Sequence, residues 1–355
     1  MSCALITAPL PESRFDEWNR LVAGSPQGSI YSTSMYLDTL CRATGGSFRI
    51  IASSKGDNLV GGIGLYETST AYGPSVSNRL LLYYNGIVLR DYKSKYPSQE
   101  ASRQIETLTA LERYLLRCGY PHILIHNRST VTDLRPFCAN GWTIRPGYTY
   151  VVPLVDMDAQ WGRVEQNLRR LITRCENNNI TFTDDDDFDS FFRLHYQVHQ
   201  RKGAPLYLSR NTFRIYFDSL RAHNLCRLFQ ARLPDGRSVA AQLVLTGDHP
   251  VSHTVCAGAD GHYLNTGCTP FLRWKSFCAL AKLGYRANDL TDAALNSVTR
   301  FKSQLGGTLE ATSVISHTGS RAYRIDRSLR SALQRTRSLV SSAVRVTVKK
   351  EQHRR

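Results

Sequence analysis

Lys302 stands in the stretch RFKSQLGG, between Phe301 and the Gly306-Gly307 pair, just past an apolar helix and a short strand. A lysine so placed is either a solvated side chain in a turn or a cation held for use. Its immediate neighbours do not decide between the two. His195 and His199 are four apart on one helix face, a spacing that binds zinc when a third ligand is near. No third ligand is adjacent in the sequence, so no metal is expected. Asp184 to Asp187 run directly into a helix, where carboxylates complement the N-terminal dipole, and they read as capping groups. The nine cysteines are scattered from Cys3 to Cys278 without a C-x-x-C pair, which argues against structural zinc and against a disulfide framework. No G-x-S-x-G elbow occurs and no cysteine has a recognisable catalytic context, so a strong side-chain nucleophile is not expected.

The elements that must position these residues read as mixed α and β. RFDEWNRLVAGS and SIYSTSMYLDTLCRATG have helical apolar spacing and stop at or near a glycine. FRIIASSKGDNLVGGIGLYET alternates as two strands about Lys55-Gly56-Asp57, and RLLLYYNGIVL reads as a further apolar strand. A long amphipathic helix follows, with Ser98 as its N-cap and Gly119 at its end. HILIHN is a buried strand, VTDLRPFCANG a short helix and WTIRPGYTYVVPL a closing pair of strands. The second half repeats this order: a helix over WGRVEQNLRRLITRCENNN, the strand ITFT, two more helices, and three strands turning first at Pro234-Asp235-Gly236. The helix TPFLRWKSFCALAKLGY and the strand ANDLTDA then lead to Lys302. Two matching units imply a duplicated fold with a cleft between or beside the copies.

The 355 residues exceed one compact core and suggest two domains, at 1–152 and 153–325, with a basic tail at 326–355. No apolar run is long enough to span a membrane, and the N-terminus lacks the pattern of a signal peptide, so the cytoplasm is the expected compartment. The net charge is +16, and from Arg321 onward eleven Lys or Arg face only Asp326 and Glu351. Such a segment favours a polyanion or an anionic membrane surface, or it solubilises the chain as a tail. Its apolar spacing (Leu329, Leu333, Leu339, Val340, Val344) suits an amphipathic helix and keeps a peripheral membrane contact open.

In order along the chain, NLRRLITRCENNNITFT, FDSFFRLHYQVHQRKG, LFQARLPDGRSVAAQLVLTGDHPVSHTVCAGAD, TPFLRWKSFCALAKLGYRANDLTDA and FKSQLGG resemble the FemABX-type aminoacyltransferases and their tandem-GNAT relatives. The last resembles that family's F-K-x-x-F-G-G, with Leu305 in place of the second aromatic. The first half fits more loosely, through IYSTSMYLDTL and GWTIRPGYTYVVPL. The resemblance implies an α+β fold of two tandem GNAT-like domains, each a mixed sheet flanked by helices, with a basic helical tail. It also implies transfer of an aminoacyl or acyl group from an activated ester or thioester onto an amine.

On that resemblance, Lys302 becomes the positive partner of the tetrahedral oxyanion, Phe301 excludes water beside it, and Gly306-Gly307 allow close approach of a substrate. Asp292 is either the base for the incoming ammonium or a strand-end cap, and Tyr207 either lines the cleft or packs. Arg169, Arg170 and Arg174 on one helix, and Arg201-Lys202 after the next, bind phosphates of a nucleotide-linked acceptor or of tRNA, or form a solvated basic face. A CoA-binding GNAT domain carries Q/R-x-x-G-x-G/A before its long helix; here Leu264 takes the Q/R position and Thr269 the last. Aminoacyl-tRNA is therefore the expected donor and an amine-bearing peptide, cell-wall precursor or small biosynthetic intermediate the acceptor, with no cofactor and no DNA. An acyl-CoA-dependent N-acyltransferase and a non-catalytic binding protein are the alternatives.

Overall fold

A computed structural model describes residues 4–79 and 81–330. The first unit runs β1 (Leu5–Pro9), α1 (Phe15–Gly24), α2 (Ser34–Thr44), β2 (Ser47–Lys55), β3 (Asn58–Thr70), β4 (Gly73–Val76), β5 (Ile87–Leu89), α3 (Pro97–Arg117), β6 (Ile123–Asn127), α4 (Arg135–Ala139) and β7 (Thr143–Pro153). The second runs α5 (Met157–Arg163), α6 (Gln166–Asn177), β8 (Thr181–Asp184), α7 (Phe188–Lys202), α8 (Arg210–Ala222), β9 (Cys226–Arg232), β10 (Ser238–Leu245), β11 (Val251–Ala259), α9 (Cys268–Lys282), β12 (Ala287–Asp289), α10 (Ser297–Gln304) and β13 (Thr308–His317). This is a mixed sheet flanked by helices, the GNAT-like α+β class read from the sequence.

One sheet runs through both units in the order β1-β2-β3-β4-β6-β13-β7-β12-β11-β10-β9-β8, with β5 on β3. The last strand of the second unit, β13, inserts antiparallel between β6 and β7 of the first, while β7 also pairs with β12. The sheet is thus continuous across the 152/153 boundary. Helices join the units as well. Tyr36, Leu37 and Leu40 of α2 share one buried core with Phe213, Tyr216 and Leu220 of α8, and the Tyr36 and Tyr216 hydroxyls are 2.8 Å apart. Each such fully buried large side chain contributes about 1.5–3 kcal/mol relative to exposure.

Four local readings change. Among the described residues of RLLLYYNGIVL, only Ile87–Leu89 is strand. Asn side chains there take over the ladder's bonds: Ile87 N–H donates to Asn127 Oδ1 (3.0 Å) and His126 N–H to Asn85 Oδ1 (2.8 Å). Freed from the sheet, the segment carries Tyr83 and Tyr84 to the junction of the units. WTIRPGYTYVVPL is one strand, because β13 pairs along it from Thr308 opposite Val151 to Ser316 opposite Thr143. A Cβ at Gly147 would stand 2.5 Å from Thr312 Oγ1, so close strand approach accounts for that glycine better than a turn does. The cap of α3 is Tyr96 with Pro97 in the first turn, not Ser98, since proline's fixed φ starts a helix without a donor to satisfy. Finally, WGRVEQNLRR breaks into α5 and α6, where Glu165 N–H donates to Gln304 O (3.0 Å).

The acidic run is fully engaged. Asp187 caps α7 through Ser190 N–H, Asp185 and Asp187 hold Arg232, Asp186 pairs with Arg221, and Asp184 with Arg227. At the other end, the backbone of 321–330 is helical and Tyr323 stacks on His122 at 5.1 Å. Most of the basic tail, 331–355, lies outside the described residues, and with it the amphipathic pattern from Leu333 to Val344.

Candidate active site

Phe301 on α10 and Leu305 at its C-cap are four apart, and both join the apolar core of the second unit. That fixes one face of the helix, so Lys302 turns to the neighbouring face. Asn296 starts the helix by accepting from Thr299 N–H, and Gly306 (φ +81°) ends it. Gln160 then donates to Leu305 O (3.0 Å) and Arg163 to Gly306 O (3.1 Å). Lys302 is therefore in a helix pinned at both ends, not in a turn.

Its ammonium donates to the carbonyl oxygens of Thr291 and of Asp292, the latter at 2.6 Å. An ammonium has three donors, so one is left for a ligand. Burial pushes the Lys302 pKa down to about 8; Arg273 pushes the same way, while Asp292 and Asp289 oppose it. The two accepting carbonyls belong to consecutive left-handed residues, Thr291 (φ +50°) and Asp292 (φ +55°). A β-branched residue rarely adopts that region and holds it only where surroundings demand it. Here Asp289 Oδ1 accepts from Thr291 N–H (2.7 Å), and Thr291 Oγ1 donates to Thr254 O (2.9 Å). Asp289, itself buried, also accepts from Tyr84 Oη (2.9 Å) and Thr149 Oγ1 (2.5 Å) of the first unit. Residues of both units thus shape the turn that holds Lys302.

Lys302 opens on a cleft of about 310 Å³ whose walls include Tyr83, His195, His199, Lys202, Tyr207, Cys256, Arg273, Thr291 and Asp292. The Tyr207 hydroxyl lies 2.7 Å from Cys256 Sγ, and burial raises the pKa of both groups, the thiol to about 12. Cys256 is consequently a thiol, not a thiolate nucleophile. His195 lies over Phe191 and 4.6 Å from the His199 ring; burial holds it neutral, with its pKa near 4. His199 meets Pro205 O at 3.1 Å, and no group of three metal-binding side chains occurs among the described residues.

Of the residues singled out by sequence, Lys302, Asp292, Lys202 and Tyr207 come together here. His195 and His199 line it too, while the remaining candidates stand apart. Phe301 faces the core, where it anchors α10 and does not cover the ammonium. Gly306 and Gly307 pack against α5 and β7: a Cβ at Gly306 would lie 2.6 Å from Gln160 Nε2, and one at Gly307 3.3 Å from Tyr150. Their small size thus serves packing, not approach to the cleft. Arg169 and Arg170 lie on α6, Arg170 exposed, and the exposed Arg201 lies over Gly261. Sequence reasoning missed Tyr83, Cys256, Arg273 and Asp289. Only Arg273 left a trace, as a charge inside the apolar run TPFLRW.

The acetyltransferase (GNAT) domain family matches residues 162–303, which include α6 to α9 and Lys302. The second unit is a GNAT domain. By that match the chain carries an acyltransferase domain. The fold is that of FemX, at 12% identity and a TM-score of 0.65 over 87% of this chain and 96% of that one. It is shared with the C-terminal domain assigned to a lysylphosphatidylglycerol synthetase of Agrobacterium fabrum (12%, TM-score 0.58, 88% and 95%). A tandem GNAT protein from the clavulanic acid biosynthesis pathway also has it (12%, TM-score 0.53, 89% and 99%). No curated protein matches the chain by sequence. Among the described residues, no helix of this acyltransferase is long and apolar enough to cross a membrane.

Proposed function

We propose that this acyltransferase forms an amide bond, moving an aminoacyl group from aminoacyl-tRNA to the amine of a peptide, cell-wall precursor or small biosynthetic intermediate. The observation that carries the reading is the Lys302 ammonium, held by two main-chain carbonyls with one donor left for the cleft. The acceptor amine first gives a proton to the Asp292 carboxylate and then attacks the ester carbonyl. A C–N bond forms and the carbonyl oxygen becomes an oxyanion beside Lys302. Its collapse breaks the C–O bond, the nitrogen's second proton passes to the departing ribose oxygen, and Asp292 releases the first to solvent, leaving a neutral amide. One such preorganised donor lowers the barrier by about 3–4 kcal/mol. The reaction belongs in the cytoplasm, where charged tRNA is found.

The start of α9 supports an ester donor other than acyl-CoA. Pyrophosphate at a helix N-terminus needs free N–H groups and room. Here Pro270 removes one donor from the first turn, and α6 closes over the cap: a Cβ on Gly267 would lie 2.8 Å from Leu171 Cβ. Acyl-CoA is the second reading, favoured by the family's description as acetyltransferases and by the tandem GNAT neighbour, whose structure is described as being without AcCoA.

The test supplies labelled aminoacyl-tRNA and acyl-CoA in turn, with a mixture of amines, to the purified protein. Deacylation of the tRNA that depends on added amine is expected, together with no saturable CoA binding. Amine-dependent release of free CoA, with the tRNA untouched, establishes the second reading in its place.

A further inference from the structure

Arg273 sits in the middle of α9, one turn after Thr269 and within an otherwise largely apolar stretch. Its guanidinium lines the cleft, yet makes no hydrogen bond and no ion pair among the described residues. Its Nη1 is enclosed by protein and has no partner. Among the described residues, fifteen Lys or Arg pairs with carboxylates occupy other charged side chains, including exposed ones worth little. Arg273 is half-buried, and its enclosed Nη1 stands outside all of these pairs.

An enclosed guanidinium without a counter-ion is costly, and such groups persist where a ligand supplies the charge. Burial alone pulls its pKa down to about 10, so it stays a cation at neutral pH. It is also near enough to Lys302 to depress that ammonium. Lys202 adds a third positive charge to the same lining, whereas Asp292 is the acidic side chain there and acts on Lys302.

We propose that Arg273 is the oxyanion-binding subsite of the cleft, holding a carboxylate or phosphate of the substrate while Lys302 faces the reacting carbonyl. A guanidinium meets either anion with two parallel N–H bonds, which fixes orientation as well as position. The inference rests on the assignment of this cleft as the reaction site and adds the class of substrate: one that carries an oxyanion near its reacting group.

Titration calorimetry of the full chain with inorganic phosphate and, separately, acetate at low ionic strength tests this without donor or turnover. Saturable binding of at least one anion is expected, weakened ten-fold or more in Arg273→Met and partly kept in Arg273→Lys. Phosphate alone binding points to a phosphorylated substrate, acetate alone to a carboxylate. In the wild-type protein, the preferred anion should also slow modification of Arg273 by phenylglyoxal, read by mass spectrometry, so the test survives a variant that does not fold. No saturable binding of either anion, or equal binding by folded Arg273→Met, overturns the proposal. Because no acyl donor is present, that failure is separate from failure to consume aminoacyl-tRNA.

Discussion

The loop between β6 and β7 in the first unit and the loop between β12 and β13 in the second occupy matching places in the duplicated order, and they end differently. Each runs from a short strand into a short helix with an aromatic, the residue after it and, three or four positions further on, a left-handed glycine: Phe137, Cys138 and Gly141 in the first, Phe301, Lys302 and Gly306 in the second. In the first unit the space is filled. Phe137 and Trp142 pack edge to face at 5.1 Å, and the buried Glu112 accepts from Trp142 Nε1 (3.0 Å) and Asn140 Nδ2 (2.9 Å). In the second, two left-handed residues turn their carbonyls toward an ammonium beside an open cleft. One position closes on itself through the two bonds to Glu112, and the other keeps a donor in reserve. On the proposed function, the same scaffold would serve stability in one copy and chemistry in the other.

The sharpest way to break this contrast is Lys302→Met. Turnover should fall roughly 10²–10³-fold with folding nearly intact, checked by steady-state rates and thermal melts. Activity within about three-fold of wild type would end the assignment, given that scale for one oxyanion donor. The pH profile sharpens it further. In the proposed mechanism the ammonium is the active form, so its contribution to rate should fade as pH rises through about 8. Stability should move the other way. The folded Lys302 pKa lies below its unfolded value, so between that pKa and about 10.4 the unfolded chain binds more protons and stability rises with pH. Lys302→Met should lack this rise in urea titrations across the window.

A smaller effect is expected at Asp289, which ties the first unit to the turn holding Lys302. Asp289→Asn weakens the bonds from Tyr84, Thr149 and Thr291 N–H and should cost about 1.5–3 kcal/mol by denaturant unfolding. Because Asp289 acts through Thr291, kcat should fall with little change in KM. Unchanged kcat in a destabilised variant would reduce it to a structural bond.

The first-unit loop should respond in stability alone. Glu112→Ala leaves Trp142 N–H unpaired in the core, at a cost of about 1–3 kcal/mol, with kcat and KM of the folded enzyme unchanged. Cys138→Ser, at the exposed counterpart of Lys302, should stay within about 0.5 kcal/mol and alter neither constant. A rate defect in either variant would erase the distinction between the copies.

What could be read in advance follows from local physics. Helices α7 and α8 show as apolar residues recurring each turn, and Pro234-Asp235-Gly236 marks its turn because Gly236 takes φ +84° at no steric cost. FKSQLGG pointed to Lys302 through resemblance, and Asp292 and Tyr207 followed by proximity to motifs. Other features had no local signal. Alternation shows that β7 and β13 have buried faces but not that β13 leaves its own unit to lie between β6 and β7; long-range pairing decides that. RLLLYYNGIVL carries a strand's composition, yet Asn85 and Asn127 replace the ladder and release Tyr83 toward the cleft. Thr291 and Asp292 are poor candidates for positive φ, and only the bonds converging on Asp289 hold the turn there. The sequence by itself determined which segments bury a face and which lysine to watch. The tertiary structure decided what that lysine meets, because the carbonyls, the hydroxyls and Arg273 around it come from segments that touch only once the two units share a sheet.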